Sequence, residues 1–428
     1  MRPEYAKPTP RPGRSLAVPS SSSAAAPSPS TTEASSAAAS GDGGGSVPVE
    51  SESRRLLELE LMHRWSTRTF RSLCGIPEEE HYLSALLPRE ALQPKYHFVL
   101  HGMFAVAALD LSHDAAVRGG GLEAEAEAAR YENLALEYFN RGSAAFRAML
   151  SDIPRDSFHM MYMFASPATV MVLGLPEGRG GDAAFGQEHD PDSALGRVIT
   201  LAELYSGTLA LVDVGWNELV DSNYPFRSAL SIKIDDPTIL ERGRPVDKDD
   251  LPYRFASLDL LEEDVRSVLM RLDAVNDAVH GVHGVVGAEA KLDQDQRKIE
   301  IDAEVERADP SAARHAMYAT AIFWVREVFA EAANGRVKGY CLAFFALMGA
   351  DFVAAARARE AVALFILLHF AVQLDHLGRE AWWAEHIGRR LVREISDLLR
   401  TGPDTRLASL PEGRDGIAWA RQQVGLPP

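Results

Sequence analysis

From about residue 52 onward, apolar side chains recur every three or four positions, and strict alternation of apolar and polar residues is nearly absent. That period belongs to a helix, whose turn closes every 3.6 residues or so. In "SRRLLELELMHRWSTRTFRSL", Leu57, Leu61, Trp65 and Leu73 fall at helical spacing beside charged positions. The stretch from Phe98 to Leu111 is apolar all round, the mark of a central, enclosed helix. Residues 123–150 are rich in helix formers, with Tyr131, Leu134, Tyr138 and Phe146 along one face. In "DSFHMMYMFASPATVMVLGL", Pro167 should kink or divide the helix, because it lacks an N–H and crowds the preceding turn. The expectation is an all-α fold, a single multi-helix domain over residues 53–428. Irregular connections are expected near 176–193 and 217–256, where Gly, Asp, Pro and Arg accumulate.

Residues 1–52 are dominated by Ser, Pro, Ala and Gly and have almost nothing to bury. Such a segment cannot offset its ordering entropy and is expected to be a disordered leader or linker.

The net charge is −17, and residues 1–50 carry four basic and four acidic side chains, so the excess lies in the helical part. A body of that charge repels nucleic acid unless a local basic patch overrides it. The longest basic runs are pairs, among them Arg54-Arg55 and Arg389-Arg390. Two cysteines, Cys74 and Cys341, build neither a disulfide framework nor a multi-cysteine metal site. The longest apolar run, Ala361 to Leu374, is interrupted by His369 and Gln373 and reads as too short to span a bilayer. No membrane span, no secretion signal and no glycosylation acceptor are expected, and the chain reads as soluble and non-secreted.

Two histidine groups invite a metal. His280 and His283 in "VHGVHG" have the spacing of a helical ligand pair, yet Gly281 and Gly284 weaken the helix that would hold them. A helix end is the expectation there. In "FILLHFAVQLDHLGREAWW", His369, His376 and Glu380 fall within about 40° of one another on a continuous helix. They also span about 16 Å along its axis, too far for one zinc ion with bonds near 2 Å. His369 therefore reads as a core or cavity-wall residue, and Gly378 as a break. No nucleophile elbow, phosphate loop or His-Glu-x-x-His sequence occurs, and "GRGGDA" at 178–183 lacks the strand and helix that a dinucleotide fingerprint requires. Catalytic residues, metal ligands and cofactors are expected to be none.

The order of segments carries more. "LELELMHRWSTRTFRSL", "LLPREALQPKYHFVLHGMFAVAALDLSH", "YENLALEYFNRGSAAFR", "AELYSGTLALV" and "AVALFILLHFAVQLDHLGREAWWAEHIGRRLVREI" resemble the helical regulatory region of fungal six-cysteine zinc-cluster transcription factors, of the sterol uptake control type. The marks are Leu-Met-His-x-x-Ser-Thr at 61–67, Leu-His-Gly at 100–102, and Trp382-Trp383 followed by Arg-Arg-Leu-Val. The resemblance covers roughly residues 55–400. It implies a nuclear regulator of RNA polymerase II genes whose helical domain receives a sterol-like apolar ligand, with homodimers or other transcription regulators as partners. The wall of that pocket is expected from Met103, Phe104, Met160, Met163, Phe164, Phe365, His369 and Trp383. The family's zinc cluster is missing here, so zinc and DNA contact are expected only if six cysteines lie upstream, outside this chain. Where the family carries a tryptophan-rich C-terminal stretch, this chain has only Trp419. Two other readings stand beside this one: a cluster-less protein that pairs with full-length regulators, and an α-helical biosynthetic enzyme.

Overall fold

The computed structural model describes residues 49–176, 193–236, 238–241, 247–248, 251–281, 310–402 and 405–428. Among the described residues there is no β-strand, and the only strand-like pairing is a bridge between Ile234 and Tyr253. The fold is all-α, as the periodicity required. The first helix, α1 (Val49–Thr67), begins slightly before the boundary expected at 52.

Helix α2 (His97–Arg118) is the enclosed one: Phe98, Val99 and the whole run Met103–Leu109 are buried. It packs along α3 (Leu122–Met149), whose Tyr131, Tyr138 and Phe139 face the core. Asp110 is a buried charge in the middle of α2, and α1 satisfies it. Arg64 on α1 donates two hydrogen bonds to its carboxylate, at 2.8 and 3.0 Å, and the Thr69 hydroxyl donates a third at 2.6 Å. Trp65, one residue on, donates its indole N–H to the Leu83 carbonyl at 2.8 Å. The 61–67 segment is thus a docking device that fixes α1 to α2.

The proline break falls where expected. Helices α4 (Phe158–Met163) and α5 (Ala165–Gly174) part at Phe164, leaving Pro167 in the first turn of α5, where its missing N–H has no intrahelical acceptor to serve. A side chain at Gly102 would meet the Pro167 ring at 2.9 Å, so the glycine of Leu-His-Gly sets how closely α2 and α5 cross.

Helix α6 (Ala194–Val214) follows, and then the span expected to be irregular. That expectation is corrected in part. Residues 217–256 overlap three short helices, α7 (Trp216–Val220), α8 (Phe226–Lys233) and α9 (Thr238–Glu241). Trp216, Val220, Ile234, Leu240 and Leu251 form a small apolar cluster of their own, so the segment is short-range helical wherever it can cover that cluster. Most of the connection expected near 176–193 lies outside the described residues, as do His283 and Gly284.

Helices α10 (Glu263–Met270), α11 (Leu272–His280), α12 (Pro310–Asn334) and α13 (Ala350–Arg357) lead to α14 (Ala361–Gly378), of which fifteen residues are buried. It forms a hairpin with α15 (Ile387–Thr401), and α16 (Pro411–Gln423) packs on both. The hairpin is unusually tight. A Cβ at Gly388 would lie 2.1 Å from the Asp375 nitrogen, and one at Gly378 would lie 2.5 Å from the Ala384 oxygen. Backbone meets backbone at both points, and glycine is required by space alone.

The membrane expectation needs correction. By length and composition, two helices among the described residues suffice to cross a bilayer, Ala194–Val214 and Ala361–Gly378. His369 and Gln373 interrupt the second without making it polar overall. In α14 the protein itself covers 83% of the apolar window, so its surface is spent on the core, whereas only 39% of the window in α6 is covered.

Candidate functional site

Of the eight expected pocket residues, the structure places seven in the packed interior. Met103 and Phe104 lie on α2, and Met160 and Met163 on α4, all within the main apolar core. Phe164 stacks between Phe139 and Phe146, with ring centroids at 5.9 and 5.0 Å. Phe365 and His369 meet edge to face at 4.6 Å, and the imidazole stacks on Trp419 at 5.5 Å. Trp383, the eighth, belongs to the same buried core but also lines open space.

That space is one of two clefts on either side of the segment 372–383. Val372, Gln373, His376, Leu377 and Glu380 face one cleft, of about 690 Å³. Asp375, Arg379, Trp382 and Trp383 face the other, of about 1200 Å³. The side on which each residue falls follows from helical geometry, since 372, 373, 376 and 377 share a face while 375 and 379 share another. Gln423, at the end of α16, reaches both clefts.

The smaller cleft is largely apolar. Leu261 and Val265 come from α10 and the turn before it, Phe329 and Ala332 from α12, Tyr340 and Cys341 from the turn Tyr340–Leu342, and Trp419 from α16. Inside it, Gln373 is 95% buried, and its amide makes no hydrogen bond among the described residues. The buried indole N–H of Trp419 likewise has no partner there. A buried polar group without a partner costs about 1–3 kcal/mol, so the Trp419 indole N–H is poised for something that would satisfy it. Two of its titratable groups are pushed toward their neutral forms. Burial pushes the Cys341 thiol up to about 12, which keeps it from acting as a thiolate. Burial, aided by Arg379, lowers the pKa of His376. At the mouth, Lys338 and Glu380 pair at 3.8 Å, both well exposed.

His369 lies one turn deeper. Its Nδ1–H donates to the Phe365 carbonyl at 2.8 Å, leaving Nε2 buried and unpartnered. Burial lowers its pKa to about 4, so it is a neutral imidazole. His376 and Glu380 face the same cleft, but no group of three possible metal ligands occurs among the described residues. His280 ends α11 as expected, with Gly281 in the left-handed conformation closing the helix.

The larger cleft has a different chemistry. Five arginines line it, Arg197, Arg379, Arg389, Arg390 and Arg393, against three carboxylates, Glu132, Asp375 and Glu385. Arg197 is buried and caps the end of α5, donating to the carbonyls of Leu175 and Pro176. His113 bonds Glu385 at 3.1 Å through Nε2, and its ring lies 5.4 Å from that of Trp382. The arginines were not legible as a group. Arg389-Arg390 reads as a mere pair along the chain, although positions 386, 389, 390 and 393 hold the helical signal that puts them on one side of α15. Gln373, Cys341 and Trp419 carried no signal of their own.

No family model matches the chain, and no curated protein matches it either.

Proposed function

We propose that the helical body is a ligand-sensing regulatory domain, of the kind found in fungal zinc-cluster transcription factors, and that the smaller cleft receives a sterol-like apolar ligand. The observation that supports this most directly is the cleft's chemistry. Its volume of about 690 Å³ lies within the roughly 300–1,000 Å³ of small-molecule sites. Its walls are mostly apolar inside a charged edge of Glu262, Lys338 and Glu380, and Gln373, a largely buried residue, offers one unengaged amide. A sterol has the complementary form, a rigid apolar ring system with one hydroxyl. The nuclear location, the effect on RNA polymerase II genes and the family relationship rest on the resemblance at 61–67, 100–102 and 382–392.

Two measurements test the reading. Purified protein titrated with a fluorescent sterol should bind it and gain thermal stability. Ala333→Trp, at the exposed edge of the cleft, should abolish both effects without unfolding the domain. No shift with any sterol would remove the sensor. Fused to an unrelated DNA-binding domain, residues 53–428 should give reporter output that changes with sterol supply, and constant output at background would remove the regulator.

A second reading, pairing with other regulators, is favoured by α6, which leaves Leu204, Leu209 and Val214 exposed at 37%, 37% and 74%. Light scattering that shows a dimer, returned to monomer by Leu204→Glu with Leu209→Glu, would support it.

A further inference from the structure

We propose that the larger cleft is a separate site for an amphipathic anion, a carboxylate or phosphate head carried on an apolar chain or ring. The whole chain has a net charge of −17, yet arginines outnumber carboxylates five to three in this concavity. Low-dielectric walls focus such a field on whatever enters.

The carboxylates are already engaged. Asp375 pairs with Arg379 at 3.3 Å, Glu385 binds His113, and Glu132 accepts from Ser112. Arg389 and Arg393, one turn apart on α15, remain in excess. The Arg389 guanidinium reaches only the Gly425 carbonyl at 3.3 Å, and the Arg393 guanidinium makes no hydrogen bond or ion pair among the described residues. Two guanidinium forks at four-residue spacing suit the oxygens of one carboxylate or phosphate, each fork able to grip a pair of them.

The rest of the lining decides what hangs from the anionic head. Leu109, Leu173, Trp382, Trp383, Ile387 and Val424 provide an apolar surface between α2, α5 and α15. A simple inorganic anion leaves that surface wet, and an uncharged lipid leaves the arginines unanswered. An anion with an apolar body answers both. This site uses neither Gln373 nor the smaller cleft, so it stands or falls independently of the sterol reading.

The test uses the full chain with oleate, oleyl phosphate and oleyl alcohol, followed by calorimetry and by the fluorescence of the cleft tryptophans. Oleate and oleyl phosphate should bind at least about tenfold more tightly than oleyl alcohol, and their binding should weaken as salt rises. The ranking of the two anions tells a carboxylate site from a phosphate site. Arg389→Gln with Arg393→Gln, both on the helix surface, should erase the advantage of the anions while leaving sterol binding unchanged. Equal binding of the alcohol and the anions, an unchanged double variant, or no binding of either anion would overturn the proposal.

Discussion

The two clefts share a wall and differ in nearly everything else. On one side of residues 372–383 the inner lining is mostly apolar, burial pushes Cys341 and His376 toward their neutral forms, and the charges of Glu262, Lys338 and Glu380 stand on exposed residues. On the other side the lining is cationic, and most of its charges are visible to water. A single helix can serve both because its faces are set by residue number. The chemistry of each cleft is therefore separable by mutation, while the wall between them is not.

The largest effect should come from the wall. Gly388→Ala puts a methyl group 2.1 Å from the Asp375 nitrogen, and the hairpin must open to admit it. The expected loss is about 3 kcal/mol or more, at the upper end of overpacking costs, read as a lower midpoint in chemical denaturation. Sterol and oleate binding should fall together, and loss of only one would show that the clefts do not share this wall.

Acid should separate the two sides next. His369 has its pKa lowered from 6.5 to about 4 by burial, so the unfolded chain takes up the proton first as pH falls. Stability is fully present above pH 6.5 or so and is lost as pH falls toward 4, by about 3 kcal/mol in total. His376 is shifted in the same direction and lies in the smaller cleft itself. Denaturation midpoints measured across this range should decline less steeply in His369→Leu. A decline of unchanged slope would place the acid sensitivity elsewhere.

A cross of the two cleft variants should come third. Ala333→Trp should lower sterol affinity at least about tenfold with oleate binding intact, and the double arginine variant should do the reverse. The combined variant should show both losses, without interaction, because the altered side chains share no partner. The smallest effect should be that of Glu385→Gln. Removing one carboxylate from the cationic cleft and releasing His113 should raise oleate affinity about two- to threefold at low salt, and titration calorimetry at two ionic strengths would detect it. Weaker binding would mean that Glu385 holds the cleft open.

Much of the frame can be read from the residues. The unbroken apolar run at 98–111 becomes the buried helix α2, Pro167 marks the parting of α4 and α5, and Gly378 ends α14. These are local matters, decided by a turn or two of backbone. The candidate pocket wall was harder, because methionines and aromatics at helical spacing look alike whether they face a cavity or one another. Phe164, wedged between Phe139 and Phe146, is the instructive instance. Segment 217–256 misled for the opposite reason. Its prolines and charges stop helices early, but α7 to α9 need only four to eight residues each to cover a small apolar cluster. The arginine cleft depends on Arg197 and Arg393 meeting from far apart in the chain, which no local pattern records.

The backbone contact at Gly378 and Gly388 has a thermodynamic consequence. With no side chain between the two helices of the hairpin to absorb a displacement, α14 and α15 are coupled backbone to backbone, and the segment that leads from α14 has a cleft on each side. If occupancy of one cleft shifts that segment and so changes the affinity of the other by some factor, linkage requires the second ligand to act back on the first by the same factor. A factor below one sets the two ligands against each other and a factor above one makes each recruit the other, and the tight contact at the two glycines is where that coupling would be altered.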